Sequence, residues 1–241
     1  KPKYSKQKPN NLAVQAGFLS DAFGFGIKRM SEMCDIDYNV LESNHRNFIR
    51  VETLKKGSSL AANYFYNLPL FEAYNIEENK VYGDIDGQRF ETKRSTIKSR
   101  NSLKYFGMNK GISIITLGGN FHPLALKVVS PNEYEGNFGL ELLLMNESDI
   151  QPSINSTDMH GINDINYALY EGCGYEFRPR YSNIYKHAQS IYSPNNLSDY
   201  PDNYIIKPTH QINKQLIFDE EFNFKRIVAS ILSKTCTVST I

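Results

Sequence analysis

Neither sign of charge dominates this chain. Across 241 residues, 27 lysines and arginines face 26 aspartates and glutamates, for a formal net charge of +1. A polybasic arm or an acidic solvating tail is thereby excluded as the main theme, and any surface for a polyanion has to come from local clustering. Cysteine is scarce. Cys34, Cys173 and Cys236 have no short spacing between any two, which excludes a disulfide framework and a zinc knuckle. They read as small buried hydrophobes in a reducing compartment. No apolar run approaches the roughly 20 residues of a membrane span, so no membrane partner is expected. The chain opens on Lys-Pro-Lys-Tyr without an initiator Met or a signal peptide, and it is expected to be a piece of something longer. What is present is 40% hydrophobic residue content, enough to bury a core as one large or two small domains.

Residues 1–9 carry four lysines and two prolines and read as a basic, solvated linker. From Asn10 to Cys34, the residues Leu12, Ala16, Leu19, Phe23, Ile27 and Met30 recur at helical steps. A second helical stretch is expected over Tyr38–Tyr66, broken near Asn44 or Gly57, with Phe48, Val51, Leu54, Leu60 and Tyr64 as its buried face. Residues 10–78 therefore form an all-helical segment, and residues 79–241 one α/β domain. Strands are expected at Lys80–Asp86, Gly111–Leu117, Leu124–Val129, Ile154–Asp158 and Glu176–Arg180, with Gly118-Gly119-Asn120 as a hairpin turn. Helices are expected at Tyr134–Met145, Asn163–Gly172 and Phe218–Leu232. Strands first, then strand–helix alternation, imply a mixed sheet flanked by helices.

The chemistry centres on Asp86 and Asp158. Each is expected where a strand runs out into small or turn-forming residues, Asp86-Gly87-Gln88 and Asp158-Met159-His160-Gly161. A strand supplies a rigid base for a carboxylate at the sheet edge. If the two strands are neighbours, the carboxylates can share hard divalent cations. Mg²⁺ keeps several waters and needs few protein oxygens, and two metals about 4 Å apart can act on both oxygens of a phosphodiester displacement. The same dipeptides also serve as turns and helix caps. Between the first two strands, Lys93, Arg94, Lys98, Arg100, Lys104 and Lys110 cluster with Tyr105 and Phe106, and Glu91 is the one acidic residue at the edge. That is either a local surface for a phosphate backbone or an ordinary solvated loop. Gln88 and Arg89 stand next to Asp86, where Arg89 either contacts DNA or pairs with an acidic neighbour. His160 either approaches the scissile phosphate or bonds within its loop. Of Arg178 and Arg180, which alternation sends to one face, one is expected to contact phosphate, or both to flank a shared acidic partner.

The ordered series Asn47–Leu54, Asp86-Gly87-Gln88-Arg89-Phe90, Lys104-Tyr105-Phe106-Gly107, Ser156–Asp164, Tyr167-Ala168-Leu169, Gly174–Arg180 and Asp219–Ser230 resembles the transposases of Tn3-type replicative transposons. The likeness runs from about residue 10 onward. It implies an RNase H-like catalytic domain of the Asp-Asp-Glu class, with Asp86 as the first and Asp158 as the second catalytic aspartate, both on a two-metal Mg²⁺ site that Mn²⁺ can also fill. The residues expected to contact DNA, from charge clustering and position, are Arg89, Lys93, Arg94, Lys98, Arg100, Lys104, Lys110 and Arg180. The partners would be transposon-end DNA and target DNA, with 3′-end cleavage, strand transfer and cointegrate formation. A homodimer of the full-length protein on DNA, in the bacterial cytoplasm at the nucleoid, is implied too. Two departures stand out. Asp84-Ile85 replace the family's small residues, and the family's catalytic glutamate lies downstream of the segment matched here, so Glu220 and Glu221 are not assigned that role. The chain alone is therefore expected to be poorly active or inactive. The alternative is a non-catalytic DNA-binding or assembly module derived from such an enzyme.

Overall fold

The computed structural model describes residues 8–158 and 161–241, and the chain divides between Tyr64 and Phe65 into two compact units. The first unit is helical: α1 (Asn11–Ala22), α2 (Ile27–Met33), α3 (Tyr38–Phe48) and α4 (Val51–Tyr66). The Asn10 side chain caps α1 by accepting from the backbone N–H groups of Leu12 and Ala13. The expected Asn10–Cys34 stripe is cut in two at Gly24-Phe25-Gly26, where both glycines hold positive φ of 67° and 79°, a conformation that a side chain disfavours.

Asn44 does not break its helix. It is fully buried, donates to the Val40 carbonyl at 2.8 Å and accepts from Asn10 N at 2.9 Å. The break falls at Ile49-Arg50 instead, where the Thr53 hydroxyl bonds the Phe48 carbonyl and the Arg50 N–H. This interruption resets the helical phase, so residues read as one stripe do not share a face. Val51, Leu54, Leu60 and Tyr64 are exposed, against expectation, and the first unit's core is Ala13, Ala16, Met30 and Leu41.

In the second unit, six strands form one sheet: β1 (Tyr82–Glu91), β2 (Arg100–Asn101), β3 (Lys110–Gly119), β4 (His122–Val129), β5 (Ile154–Thr157) and β6 (Glu176–Phe177). The order runs β4-β3-β1-β5-β6, with β2 paired to the start of β3. β3 is antiparallel to β1 and β4, whereas β5 is parallel to β1 and β6 parallel to β5. Between the strands lie α5 (Leu103–Phe106), α6 (Gly139–Leu144) and α7 (Asp164–Gly172). A parallel neighbour needs a crossover, and α6 and α7 supply those before β5 and β6. The result is the mixed α/β sheet flanked by helices that was expected.

Alternation along β3 buries Gly111, Ser113, Ile115, Leu117 and Gly119. Leu140, Leu142, Leu143, Ile154 and Tyr170 complete that core. The β3–β4 turn is Asn120-Phe121, both at positive φ, a two-residue hairpin of the primed kind. Gly118 and Gly119 are strand residues, contrary to the turn expected of them. Asn120 earns its place by bonding Asn75 at 2.7 Å and the Tyr82 backbone at 3.2 Å. Toward the end come α8 (Ile184–Ala188), the short pair β7 (Tyr192–Ser193) and β8 (His210–Gln211), and α9 (Lys214–Leu232), whose Phe224 and Val228 lie against Gly172. The three cysteines are free and half-buried instead of buried. No described helix is long and apolar enough to cross a membrane.

Candidate active site

Asp86 lies in the middle of β1, not at its end. β3 pairs with every residue from Gly83 to Glu91, and those ladder bonds carry the strand five residues past the carboxylate. Gly87 is accordingly a strand residue. It is small because the Glu135 carboxylate occupies the space that a Cβ would take, with Cδ at 2.6 Å. Asp158 does follow a strand end. β5 is four residues long, and its parallel register ends at Ile85↔Thr157, so the next residue on each strand is an aspartate. Asp86, Asp158, Thr157, Glu135 and Gly161 line one small cleft. The structure thus brings the two expected carboxylates together.

Asp84 shares the Asp86 face of β1, since residues two apart on a strand point the same way, and both are exposed. Burial raises the Asp84 carboxyl above its ordinary range. Arg180 opposes this, and the charges of Asp86 and Asp158 add to the rise. Arg180 Nη2 stands 3.4 Å from Asp84 Oδ1, held there because its backbone N–H donates to the Thr157 carbonyl at 3.0 Å. Gln88 is exposed on this same face. His160 lies outside the described residues.

Arg89 points to the opposite face, toward the helices. It forms an ion pair with Glu135, and its guanidinium lies 4.0 Å from the centre of the Tyr105 ring. Of the two readings of Arg89, the acidic neighbour is the one present. Ser113 Oγ donates to the same Glu135 at 3.3 Å. Sequence reasoning missed Glu135, and it missed Asn166. The buried Asn166 amide donates to the carbonyls of Gly136 and Gly161, at 3.0 and 2.9 Å, and so pins the segment after Glu135 to the loop after Asp158. The available signal was the Gly directly after Asp86, since a glycine inside a strand marks close approach by another group.

In the basic segment Lys93 and Arg94 are exposed, Lys110 Nζ donates to Ser95 Oγ at 3.2 Å, and Lys104 Nζ lies 4.9 Å from the Tyr105 ring. Lys98 stands 3.9 Å from Glu133, and Arg100 donates to the carbonyls of Ile97 and Ser99. Arg178 and Arg180 do not share an acidic partner. Arg180 faces Asp84, whereas Arg178 pairs with Glu77 and Glu176, and Lys80 bonds the same two glutamates. Arg178 first, and Lys80 after it, hold both glutamyl carboxyls below their ordinary value of 4.5. A depressed carboxylate stabilises the fold above its unfolded pKa, and that contribution disappears as pH falls through the lower folded value. Thermal melts should therefore show Arg178→Gln below the wild type at pH 7 and 5, with the gap closing only in more acid buffer. A gap that stayed constant down to pH 2 would assign Arg178 a packing role instead.

Among the described residues, no three His, Cys, Asp or Glu side chains are grouped closely enough to hold a metal. Asp86 and Asp158 are nevertheless hard oxygen donors on neighbouring strands, both close enough for their charges to act on Asp84, which suits Mg²⁺, an ion commonly held by one or two carboxylates with waters and substrate phosphate.

The family model of the Tn3 transposase DDE domain matches residues 1–241. The transposase for transposon gamma-delta of Escherichia coli (strain K12) is 30% identical over 178 residues, covering 70% of this chain and 17% of that protein. The Escherichia coli transposase for transposon Tn2501 is 26% identical over 254 residues, covering 98% of this chain and 24% of that protein. The chain thus spans at most about a quarter of the length of these relatives. Among solved structures, the Mos1 strand transfer complex is 13% identical over 97% of this chain and 79% of that one, at a TM-score of 0.29.

Proposed function

The chain belongs to the Tn3 transposase DDE domain family, and we propose that it forms the two-aspartate part of a transposase active site for cleaving and joining DNA strands. The observation that carries this reading is the parallel pairing of β1 and β5, whose register ends at Ile85↔Thr157 so that Asp86 and Asp158 are the next residues on two neighbouring strands. Asp86 and Asp158 are the residues that would hold divalent metal. When bound, Mg²⁺ stabilises charge on the attacking and leaving oxygens of a phosphodiester.

The chain's own residues do the rest. Ladder pairing fixes the Asp86 backbone, and Gly161 N–H donates to the Asp158 carbonyl at 3.1 Å. Arg180 offsets part of the negative charge that Asp84 adds. Lys93, Arg94, Lys98, Arg100, Lys104 and Lys110 supply sequence-tolerant phosphate contacts. Transposon-end and target DNA are the substrates, and a homodimer on DNA with replicative, cointegrate-forming joining belongs to the same reading.

The test is metal-dependent nicking of a duplex carrying a transposon end by a chain extended through the downstream catalytic glutamate, since this chain alone is expected to be poorly active or inactive. Cleavage in Mg²⁺ or Mn²⁺ that stops in EDTA is the expected result. The lack of a third metal-ligating side chain near the pair, among the described residues, favours a second reading, a non-catalytic DNA-binding or assembly module. DNA binding by the extended chain without any metal-dependent cleavage would select it.

A further inference from the structure

Arg180 stands in line with the two aspartates. The β5–β6 pairing sets Asn155 beside Phe177. Its bonds continue past β6, where Arg178 N–H donates to the Asn155 carbonyl and Arg180 N–H to the Thr157 carbonyl. Carried on in these registers, Asp158 is flanked by Asp86 on one neighbouring strand and by Arg180 on the other. Side chains at one level of parallel neighbours share a face, so a guanidinium and two carboxylates form a row on one side of the sheet.

The Arg180 side chain leans back from that row to Asp84, the residue before Asp86 on the same face of β1. Among the described residues, Asp84 is its one side-chain partner, at 3.4 Å through Nη2. A guanidinium carries five N–H donors in a fixed fork, so most of the fork is left for a ligand. The side chain is also 66% exposed, and an exposed ion pair contributes little to the fold. Arg178, by contrast, is committed to Glu77 and Glu176. Asp84 is itself near enough for the charges of Asp86 and Asp158 to act on it. The guanidinium that it holds therefore lies beside the place where those two carboxylates meet a phosphate, and the planar fork of arginine suits phosphate oxygens.

We propose that Arg180 donates to a non-bridging oxygen of the phosphate being cut, and that Asp84 is a positioning residue that holds the guanidinium ready for it. The proposal rests on the strand-cleaving reading given above. Asp84 takes one N–H of Arg180 and leaves the rest of the fork for phosphate. An arginine held in advance loses less freedom when the phosphate arrives, and its charge offsets the charge that develops as the bond breaks. A third carboxylate without this role would only repel the DNA. The two roles of Asp84 predict opposite signs for its removal.

The experiment follows single-turnover cleavage of a transposon-end duplex in Mg²⁺ by a chain extended through the downstream glutamate, with DNA affinity and thermal melts measured alongside. Arg180→Gln should slow cleavage about a hundredfold, the size of one oxyanion donor. Asp84→Ala should slow it about tenfold at saturating DNA without weakening DNA affinity, a loss that removal of a repelling charge does not produce. Added to Arg180→Gln, Asp84→Ala should slow cleavage no further, because Asp84 acts through Arg180. Melting temperatures should stay at the wild-type value, since both side chains are exposed. Three results would each overturn the proposal alone: Asp84→Ala cutting as fast as wild type or faster, a further tenfold loss on top of Arg180→Gln, or Arg180→Gln cutting at close to the wild-type rate. A large fall in melting temperature alongside the rate would make the pair structural and overturn it as well. No metal-dependent cleavage by the wild-type extended chain would overturn it together with the strand-cleaving reading.

Discussion

Asp158→Asn is expected to lower metal-dependent strand cleavage by about a thousandfold or more, and Asp86→Asn by a similar factor. The amide has almost the shape of the carboxylate but carries no charge. A cleft that must hold a divalent cation through two carboxylates loses half of its protein-derived negative charge in either variant. A thousandfold is about 4 kcal/mol of transition-state stabilisation, which is the scale of charge stabilisation that a bound metal supplies. Folding should be little disturbed, because Asp86 is exposed on its strand and Asp158 stands beyond the end of β5. Single-turnover cleavage of a transposon-end duplex in saturating Mg²⁺ by a chain extended through the downstream glutamate, alongside thermal melts, is the measurement. Cleavage within tenfold of wild type in both variants would remove the pair from the chemistry. A large loss of melting temperature together with activity would show that the aspartates hold the sheet instead.

Gly111→Ala should give the largest loss of stability among the substitutions considered, about 1–3 kcal/mol. Gly111 sits near the start of β3, and a Cβ there would enter the Phe106 ring and come within 2.6 Å of the Phe90 carbonyl oxygen. Neither is the loose end of a flexible chain. The ring has to leave its place or the strands have to part, and overpacking of this kind has a cost of about that size. For a unit of this length the melting temperature should fall by roughly 2–4 °C per kcal/mol. Phe106 ends α5, which also carries Lys104 and Tyr105, so displacing the ring loosens Tyr105 beside Arg89. Gly57→Ala is the contrasting case. Gly57 lies within α4 with nothing within 4 Å of an added Cβ, and the change should stabilise by up to about 1 kcal/mol. Calorimetry of the two variants side by side decides the point, and equal melting temperatures would refute the steric argument.

The two aspartates were legible because their neighbourhoods are local. Ile154–Thr157 is a short strand bounded by turn-formers, and the residue after it has nowhere to go but the edge of the sheet. Asp86 was singled out for a partly mistaken reason. Gly87 reads as the start of a turn, yet the nine-residue pairing with β3 keeps the chain extended through it. Once β1 is known to continue, alternation puts Asp84, Asp86 and Gln88 on one side and Arg89 on the other, a division that the sequence left open. In the helical unit the apolar stripe was visible, but its phase was not, because the break at Ile49-Arg50 rests on one threonine hydroxyl.

By itself, then, the amino-acid order determined the mixed sheet with helices, the positions of most strands, the basic segment and the two carboxylates. Each depends on periodicity, turn chemistry or charge within a few residues. Only the tertiary structure decided that Glu135 sits against Gly87 and pairs with Arg89, that Asn166 ties two loops together, and that Arg178 and Arg180 serve different acids. The decisive contacts among them join residues 30 to 101 positions apart in the chain. No local pattern encodes such pairs. They exist because β1, β5 and β6 lie side by side in an order different from their order in the chain relative to β3 and β4, and packing against that sheet chooses which distant side chains meet.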